Sequence, residues 1–246
     1  MYFCQKLGFN DMIHIGDFTF NAFQTRCSVV WDSEGSCAFV DPGCLSPAEL
    51  SQLTGLVSSR GLKPVCIMLT HAHFDHIYGV DSLSDFYGGL PVYLHPAEKY
   101  TLENTNPYVC KSFGLPLPDT AFAQSLLDGI PDTGSVLRTI AEGDVIEVGS
   151  LRFYVLETPG HSRGGVCFYE KAEGLLFSGD TLFAGAIGRT DHPGGDYDQL
   201  IRNILDKLVT LDGSVKVIPG HGPCSDIATE GMTNPFLLPF NEPYEE

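Results

Sequence analysis

The 246-residue sequence predicts an α/β fold. Three observations predict it. Residues 65–70 form a short apolar run with β-branched members, the composition of a buried strand, and they open directly onto His71-Ala72-His73-Phe74-Asp75-His76. Three more short apolar runs end in the same way: 151–156 before Thr158-Pro159-Gly160-His161, 175–177 before Ser178-Gly179-Asp180, and 215–218 before Pro219-Gly220-His221. Between such runs lie stretches with apolar residues at helical spacing, at 46–60, 77–86 and 197–211.

Taken in order, residues 13–20, 27–31 and 37–40 read as successive antiparallel strands, with Ser33-Glu34-Gly35 as a turn and Asp41-Pro42-Gly43 as the stop. The helix at 46–60 starts with Ser46 as N-cap and Pro47 in its first turn. The helix at 77–86 is closed by Gly88-Gly89, and 91–95 reads as a strand. Residues 96–143 carry Pro107, Pro116, Pro118 and Pro131 among scattered aromatics such as Tyr108, Phe113 and Phe122. A connection of that length is a functional lid or is disordered, and the aromatic residues favour a lid. Strands return at 145–148, 151–157, 166–170 and 175–177. The helix at 197–211 places residues 200, 201, 204, 205, 208 and 209 on one stripe. The strand at 215–218 follows, 235–239 close the ordered chain, and 241–246 form an acidic tail. No repeat of fixed period interrupts this order. One domain over 1–246 is expected, with 96–143 as its lid or insertion.

A formal net charge of −17 counts against a nucleic-acid partner, because binding a phosphate backbone needs a basic surface. No apolar run approaches the ~20 residues that span a bilayer, so no membrane partner is expected. The start, Met1-Tyr2-Phe3-Cys4-Gln5-Lys6, lacks the pattern of a secretory signal, and the expected location is cytoplasmic. The eight cysteines form no C-x-x-C pair, and Cys66 and Cys167 sit inside apolar runs, which favours reduced thiols.

Imidazole and carboxylate are ligands of zinc and iron, so three histidines and an aspartate within six positions point to a metal site. In extended backbone His71 and His73 share a side, while the adjacent Asp75 and His76 diverge and reach a point beyond that pair. One cation held by all four fits less well than two neighbouring ones. A polar turn that only caps a helix needs one or two such residues, not four.

His71 to His76 is a full H-x-H-x-D-H motif, and through it the chain resembles the metallo-β-lactamase superfamily. The resemblance implies a four-layer αβ/βα sandwich with its metal site at one edge. It implies that His71, His73 and His161 bind one metal, that Asp75, His76 and His221 bind the second, and that Asp180 bridges them. Asp75 is also the carboxylate assigned to catalysis, and Asp41 is a structural brace. The implied cofactors are two divalent ions, with zinc expected and iron or manganese as alternatives. Such a pair acidifies a bridging water and polarises a carbonyl, so a bridging hydroxide attacks an ester-like bond.

Ser178-Gly179-Asp180-Thr181-Leu182-Phe183, Gly188-Arg189-Thr190-Asp191 and Pro193-Gly194-Gly195-Asp196 look most like short glyoxalase II-type hydrolases, as does Asn234-Pro235-Phe236-Leu237. This resemblance implies a small-molecule thioester or ester substrate. Glyoxalase II carries a further helical region after its last metal histidine that helps grip glutathione, whereas 25 residues follow His221 here. Persulfide dioxygenases with a single iron, and lactonases of the same superfamily, are the alternative readings. Arg189 either meets a substrate carboxylate or pairs with Asp191 as a loop brace; His192 lies in the same loop. His14 and His95 read as structural.

Overall fold

The computed structural model describes residues 13–115, 117 and 137–238. Two six-stranded sheets carry the fold. The first is ordered as numbered: β1 (Ile13–Phe20), β2 (Thr25–Asp32), β3 (Ser36–Val40), β4 (Lys63–Met68), β5 (Val92–Leu94) and β6 (Leu137–Thr139). Its first three strands are antiparallel, and β3 to β6 run parallel. The second contains β7 (Val145–Val148), β8 (Leu151–Glu157), β9 (Val166–Glu170), β10 (Leu175–Gly179), β13 (Lys216–Pro219) and β14 (Ser225–Asp226), in the order β14-β13-β10-β9-β8-β7. A small hairpin, β11 (Leu182–Phe183) and β12 (Ala186–Ile187), follows β10.

Side-chain alternation explains why four layers form. Along β2 to β4, Val30, Ala38, Val40, Cys66 and Met68 join Phe153, Val155, Phe168, Phe177 and Ile218 of the second sheet in one buried cluster. Their chain neighbours Val29, Phe39 and Ile67 point the other way, against Leu53 and Val57 of α1 (Pro47–Arg60) and Val80 and Leu83 of α3 (Val80–Phe86). In the second sheet Cys167, Leu176 and Val217 face outward onto Leu200 and Ile201 of α5 (Tyr197–Asn203) and Ile227 of α6 (Ile227–Thr233). Period 2 thus buries both faces of each sheet. The chain is an αβ/βα sandwich, as expected.

The N-terminal strands and α1 match the sequence reading closely. Ser46 closes a full capping box with Glu49, and Gly61 ends α1 in the left-handed region at φ 63°. Elsewhere the structure differs. The helix expected over 77–86 is two, α2 (Phe74–Ile77) and α3. They part at Gly79, whose N–H donates to the Pro42 carbonyl at 2.8 Å, and a Cβ there would lie 2.1 Å from Cys44 Sγ. The helix expected over 197–211 is α5 followed by a π-helical turn, Ile204–Leu208.

The described residues of the segment 96–143 are more regular than its prolines indicate. They form a 3-10 turn at Pro96–Glu98, a π-helical turn at Thr101–Thr105, α4 (Asn106–Phe113) and strand β6. Pro107 occupies the first turn of α4, where its missing N–H costs nothing. Pro116, Pro118, Phe122 and Pro131 lie outside the described residues, as do the N-terminal stretch, Cys4, Pro239 and the 241–246 tail. The short elements β11, β12, β14 and α6 have no sequence counterpart in the reading above. All seven described cysteines are free thiols. Among the described residues no helix is long and apolar enough to cross a membrane.

Candidate metal centre

Four strand ends converge. The turn after β4 carries His71 and His73 and runs into α2, which carries Asp75 and His76; β8 leads to His161, β10 to Asp180 and β13 to His221. Sheet one meets sheet two here through a bridge between Thr25 and His221. Gly220 permits the crowding: a Cβ on it would sit 2.4 Å from Asp180 Oδ1.

Two groups of donors result. His71, His73 and His161 bring one ligand atom each within 4.8 Å of one another, and so do Asp75, His76 and His221. The rings of His71 and His73 are 4.6 Å apart, and His161 Nε2 lies 2.8 Å from His73 Nδ1. In the second group His76 Nε2 is 3.2 Å from His221 Nε2, while Asp75 Oδ2 is 3.6 Å from the first and 3.5 Å from the second. The helical turn of α2 lets Asp75 and His76 both reach this second point, while the His76 ring stays 4.2 Å from that of His71. Asp180 stands between the groups. Its Oδ1 is 3.5 Å from His76 Nε2, and its Oδ2 is 3.5 Å from both His161 Nε2 and His221 Nε2.

The outer nitrogens are held by partners that fix tautomer and ring angle. His161 Nδ1–H donates to the Arg189 carbonyl at 2.8 Å and His221 Nδ1–H to the Phe23 carbonyl at 3.0 Å, which leaves Nε2 lone pairs inward. Thr70 donates its hydroxyl to Asp41 Oδ2 at 2.6 Å and faces His71 Nδ1 at 3.0 Å. Asp41 also accepts the Thr70 N–H at 2.8 Å and contacts His76 Nδ1 at 3.1 Å. Asp41, His71 and His76 form a third close trio, but both Asp41 oxygens are engaged by this network. Asp75 Oδ2 accepts the Thr25 hydroxyl at 2.7 Å.

The donor set fits divalent cations. His71 Nε2 and Asp180 Oδ1 are buried without a hydrogen-bond partner, a costly state that a bound cation relieves. Burial, then the neighbouring imidazoles, holds His71 and His73 well below the usual range, so they present lone pairs. Burial likewise brings His161 down to about 4. Burial opposes charge on His76 too, but Asp75, Asp180 and the bond to Asp41 push it up to about 10. Burial disfavours ionised Asp180, yet His76, His221 and His161 hold its carboxyl well below the usual range. These opposed pulls mark a cluster arranged for positive charge.

Several residues with no motif signal complete the site. Glu98, fully buried, accepts the Ala72 N–H at 2.7 Å and the Gly164 N–H at 2.8 Å, and so ties the His71–His73 turn to the His161 loop. Asn106 of α4 donates to the Ala72 carbonyl at 2.9 Å and accepts from Phe74 N–H at 3.1 Å. Asn21, in a left-handed turn at φ 53°, donates to the Asp75 carbonyl at 3.1 Å; a turn asparagine is the one signal the sequence offered. His192 is buried beside the centre, its ring 5.0 Å from that of His73 and 5.1 Å from that of His161. His95 pairs with Glu157 at 3.0 Å and His14 stacks on Trp31 at 5.4 Å, both away from the two donor groups. Arg189 Nε and Nη2 donate to Asp191 at 2.8 and 3.1 Å, on the surface. A cleft of about 400 Å³ opens over the centre, lined at its base by His73, Asp75, His161, Asp180 and His221.

Known proteins share this architecture. The model of the metallo-beta-lactamase superfamily matches residues 20–221. Hydroxyacylglutathione hydrolase GloC of Haemophilus influenzae is 34% identical over 221 residues, 88% of this chain and 94% of its own. The crystal structure of the B3 metallo-beta-lactamase BLEG-1 has a TM-score of 0.77 and 35% identity, covering 91% of this chain and 99% of that one. TTHA1623, solved in a di-iron-bound form, has a TM-score of 0.74 and 36% identity, covering 90% and 100%.

Proposed function

The chain belongs to the metallo-beta-lactamase superfamily, and from that premise we propose that it is a dinuclear hydrolase of the short glyoxalase II type that cleaves thioesters. The observation that carries the proposal is the pair of donor groups facing a single shared carboxylate, Asp180, at the base of one cleft. Similarity to GloC supports the thioester reading, and the di-iron form of TTHA1623 supports two metals.

In this reading His71, His73 and His161 would hold one cation, Asp75, His76 and His221 would hold the other, and Asp180 would serve both. Zinc is the proposed ion, with iron or manganese the alternatives that the same nitrogen and oxygen donors suit. When bound, the pair lowers the pKa of water and polarises the substrate carbonyl. Asp75, anchored by Thr25, orients the attacking water and takes part in catalysis. Asp41 holds His76 and the Thr70–His71 turn in place. Water adds to the carbonyl carbon, the carbon–sulfur bond breaks, and the products are a carboxylic acid and a thiol. The whole of 1–246 is taken as one domain, with 96–143 as its lid; Val109 and Phe113 of α4 lining the cleft support that role.

Elemental analysis of the fully loaded protein should find two metals per chain, with thiol release from a thioester by the same sample. One metal together with oxygen uptake on a persulfide would replace this reading by the mononuclear-iron alternative.

Arg189 is proposed to meet a carboxylate on the substrate at the cleft rim. Its ion pair with Asp191 is largely solvated, so exchange of one carboxylate for another costs little. Arg189→Ala should raise KM for a carboxylate-bearing thioester about tenfold with kcat nearly constant, and leave a neutral thioester almost unaffected. Equal losses on both substrates would assign Arg189 to bracing the loop.

A further inference from the structure

Above the donor groups the cleft is apolar. Phe23, Phe74, Val109, Phe113, Phe183 and Ile187 line it, delivered by the β1–β2 turn, α2, α4 and the β11–β12 hairpin. Three of them form a continuous wall: Phe23 meets Phe74 edge-on at 4.9 Å and Phe113 edge-on at 5.5 Å. Phe113 is 57% exposed, while Phe183 stands 6.2 Å from the His221 ring. Apolar side chains left open to water beside a reaction centre seat an apolar part of the ligand.

Charge on the same walls is sparse. Arg189 is the one Lys or Arg lining the cleft among the described residues, so one carboxylate but not two can be met there. Arg163 is committed to the face of Tyr100, 3.5 Å from the ring centre. Outside the described residues the sequence holds a single basic side chain, Lys6. A thiol carrying two carboxylates, as glutathione does, finds no paired cationic clamp among the described residues.

We propose, building on the thioesterase reading above, that the cleft selects thioesters by an apolar acyl group, a short alkyl chain or an aryl ring packed against the Phe23–Phe74–Phe113 wall. A small hydroxyacyl group such as lactoyl leaves that wall wet and gains nothing from it. Selectivity among acyl groups is therefore carried by hydrophobic contact, while a carboxylate elsewhere on the substrate meets Arg189 alone.

The test uses the metal-loaded full chain and thioesters of one small neutral thiol, N-acetylcysteamine. With acetyl, butanoyl and hexanoyl groups, kcat/KM should rise about fourfold per added methylene, the increment that full burial of each would bring. Hexanoyl should exceed both lactoyl on the same thiol and S-lactoylglutathione by at least tenfold. A flat series, or preference for lactoyl, overturns the proposal. Phe113→Ala, a change at a surface-exposed ring, should lower the hexanoyl-to-acetyl ratio about fivefold or more through KM, and Phe113→Leu should restore most of it. A ratio unchanged in both Phe113→Ala and Phe183→Ala also overturns it. Calorimetry separates this failure from failure of the thioesterase reading. Hexanoate binding at least tenfold tighter than lactate, with no thiol released from any thioester, supports the apolar seat and refutes the hydrolysis; equal binding refutes the seat.

Discussion

An Asp180→Asn protein will fold normally, lose at least one of its two cations under conditions that saturate the parent, and hydrolyse thioesters about a thousandfold or more slowly. The substitution keeps the size of the side chain and removes its charge. Asp180 Oδ1 and Oδ2 lie 3.5 Å from nitrogens of both donor groups, so this one carboxylate faces both of the proposed cation positions. Without it the repulsion between two divalent ions held close together is no longer offset, and the amide would turn an N–H₂ toward one of them. A thousandfold corresponds to a loss of about 4 kcal/mol in transition-state stabilisation. The fold should survive, because the surrounding imidazoles are anchored independently by Phe23, Asp41, Thr70 and Arg189. Elemental analysis, thermal unfolding and turnover on the same preparation check all three parts. Full metal content with parental activity would remove Asp180 from the bridging position.

The largest expected loss of stability follows from Glu98→Ala. This carboxylate is completely buried and accepts the Ala72 and Gly164 N–H groups, joining turns that are 66 residues from Glu98 on one side and 26 on the other. Truncation leaves two buried donors without partners, each costing about 1–3 kcal/mol, and opens a cavity between the turns. A combined loss of about 3–5 kcal/mol should lower Tm by roughly 8–15 °C in a protein of this size. Affinity for the first cation should fall too, since Ala72 sits between His71 and His73 and Gly164 follows His161 closely. Glu98→Gln keeps one acceptor oxygen and should recover part of both. Unfolding scans with and without metal, and competition against a chelator, read the two effects separately. A Tm within about 2 °C of the parent would show that water satisfies these donors and that Glu98 holds nothing together.

The sequence by itself showed the candidate donors. His71, His73, Asp75 and His76 stand within one short motif, and His161, Asp180 and His221 each follow a short apolar run. Those signals are local: a strand shows its period over five residues, and a ligand placed just past its end remains adjacent to it in the fold. The four-layer order was implied by the family resemblance, and the structure shows its basis, two buried faces on each sheet. The family resemblance implied how the donors divide; the tertiary structure supplies the physical reason, because the position of Asp180 between the groups depends on β10 and β13 pairing side by side and on sheet one closing against His221. Helix α4 escaped the reading because Pro107 signals a break unless its place at a helix start is known. Glu98, Asn106 and His192 escaped for a different reason. Each acts on residues 26 or more positions away, and nothing in the chain next to a buried carboxylate, amide or imidazole records which distant backbone it will meet. Spacing reports neighbours along the chain, whereas packing of two sheets across a core selects neighbours in space.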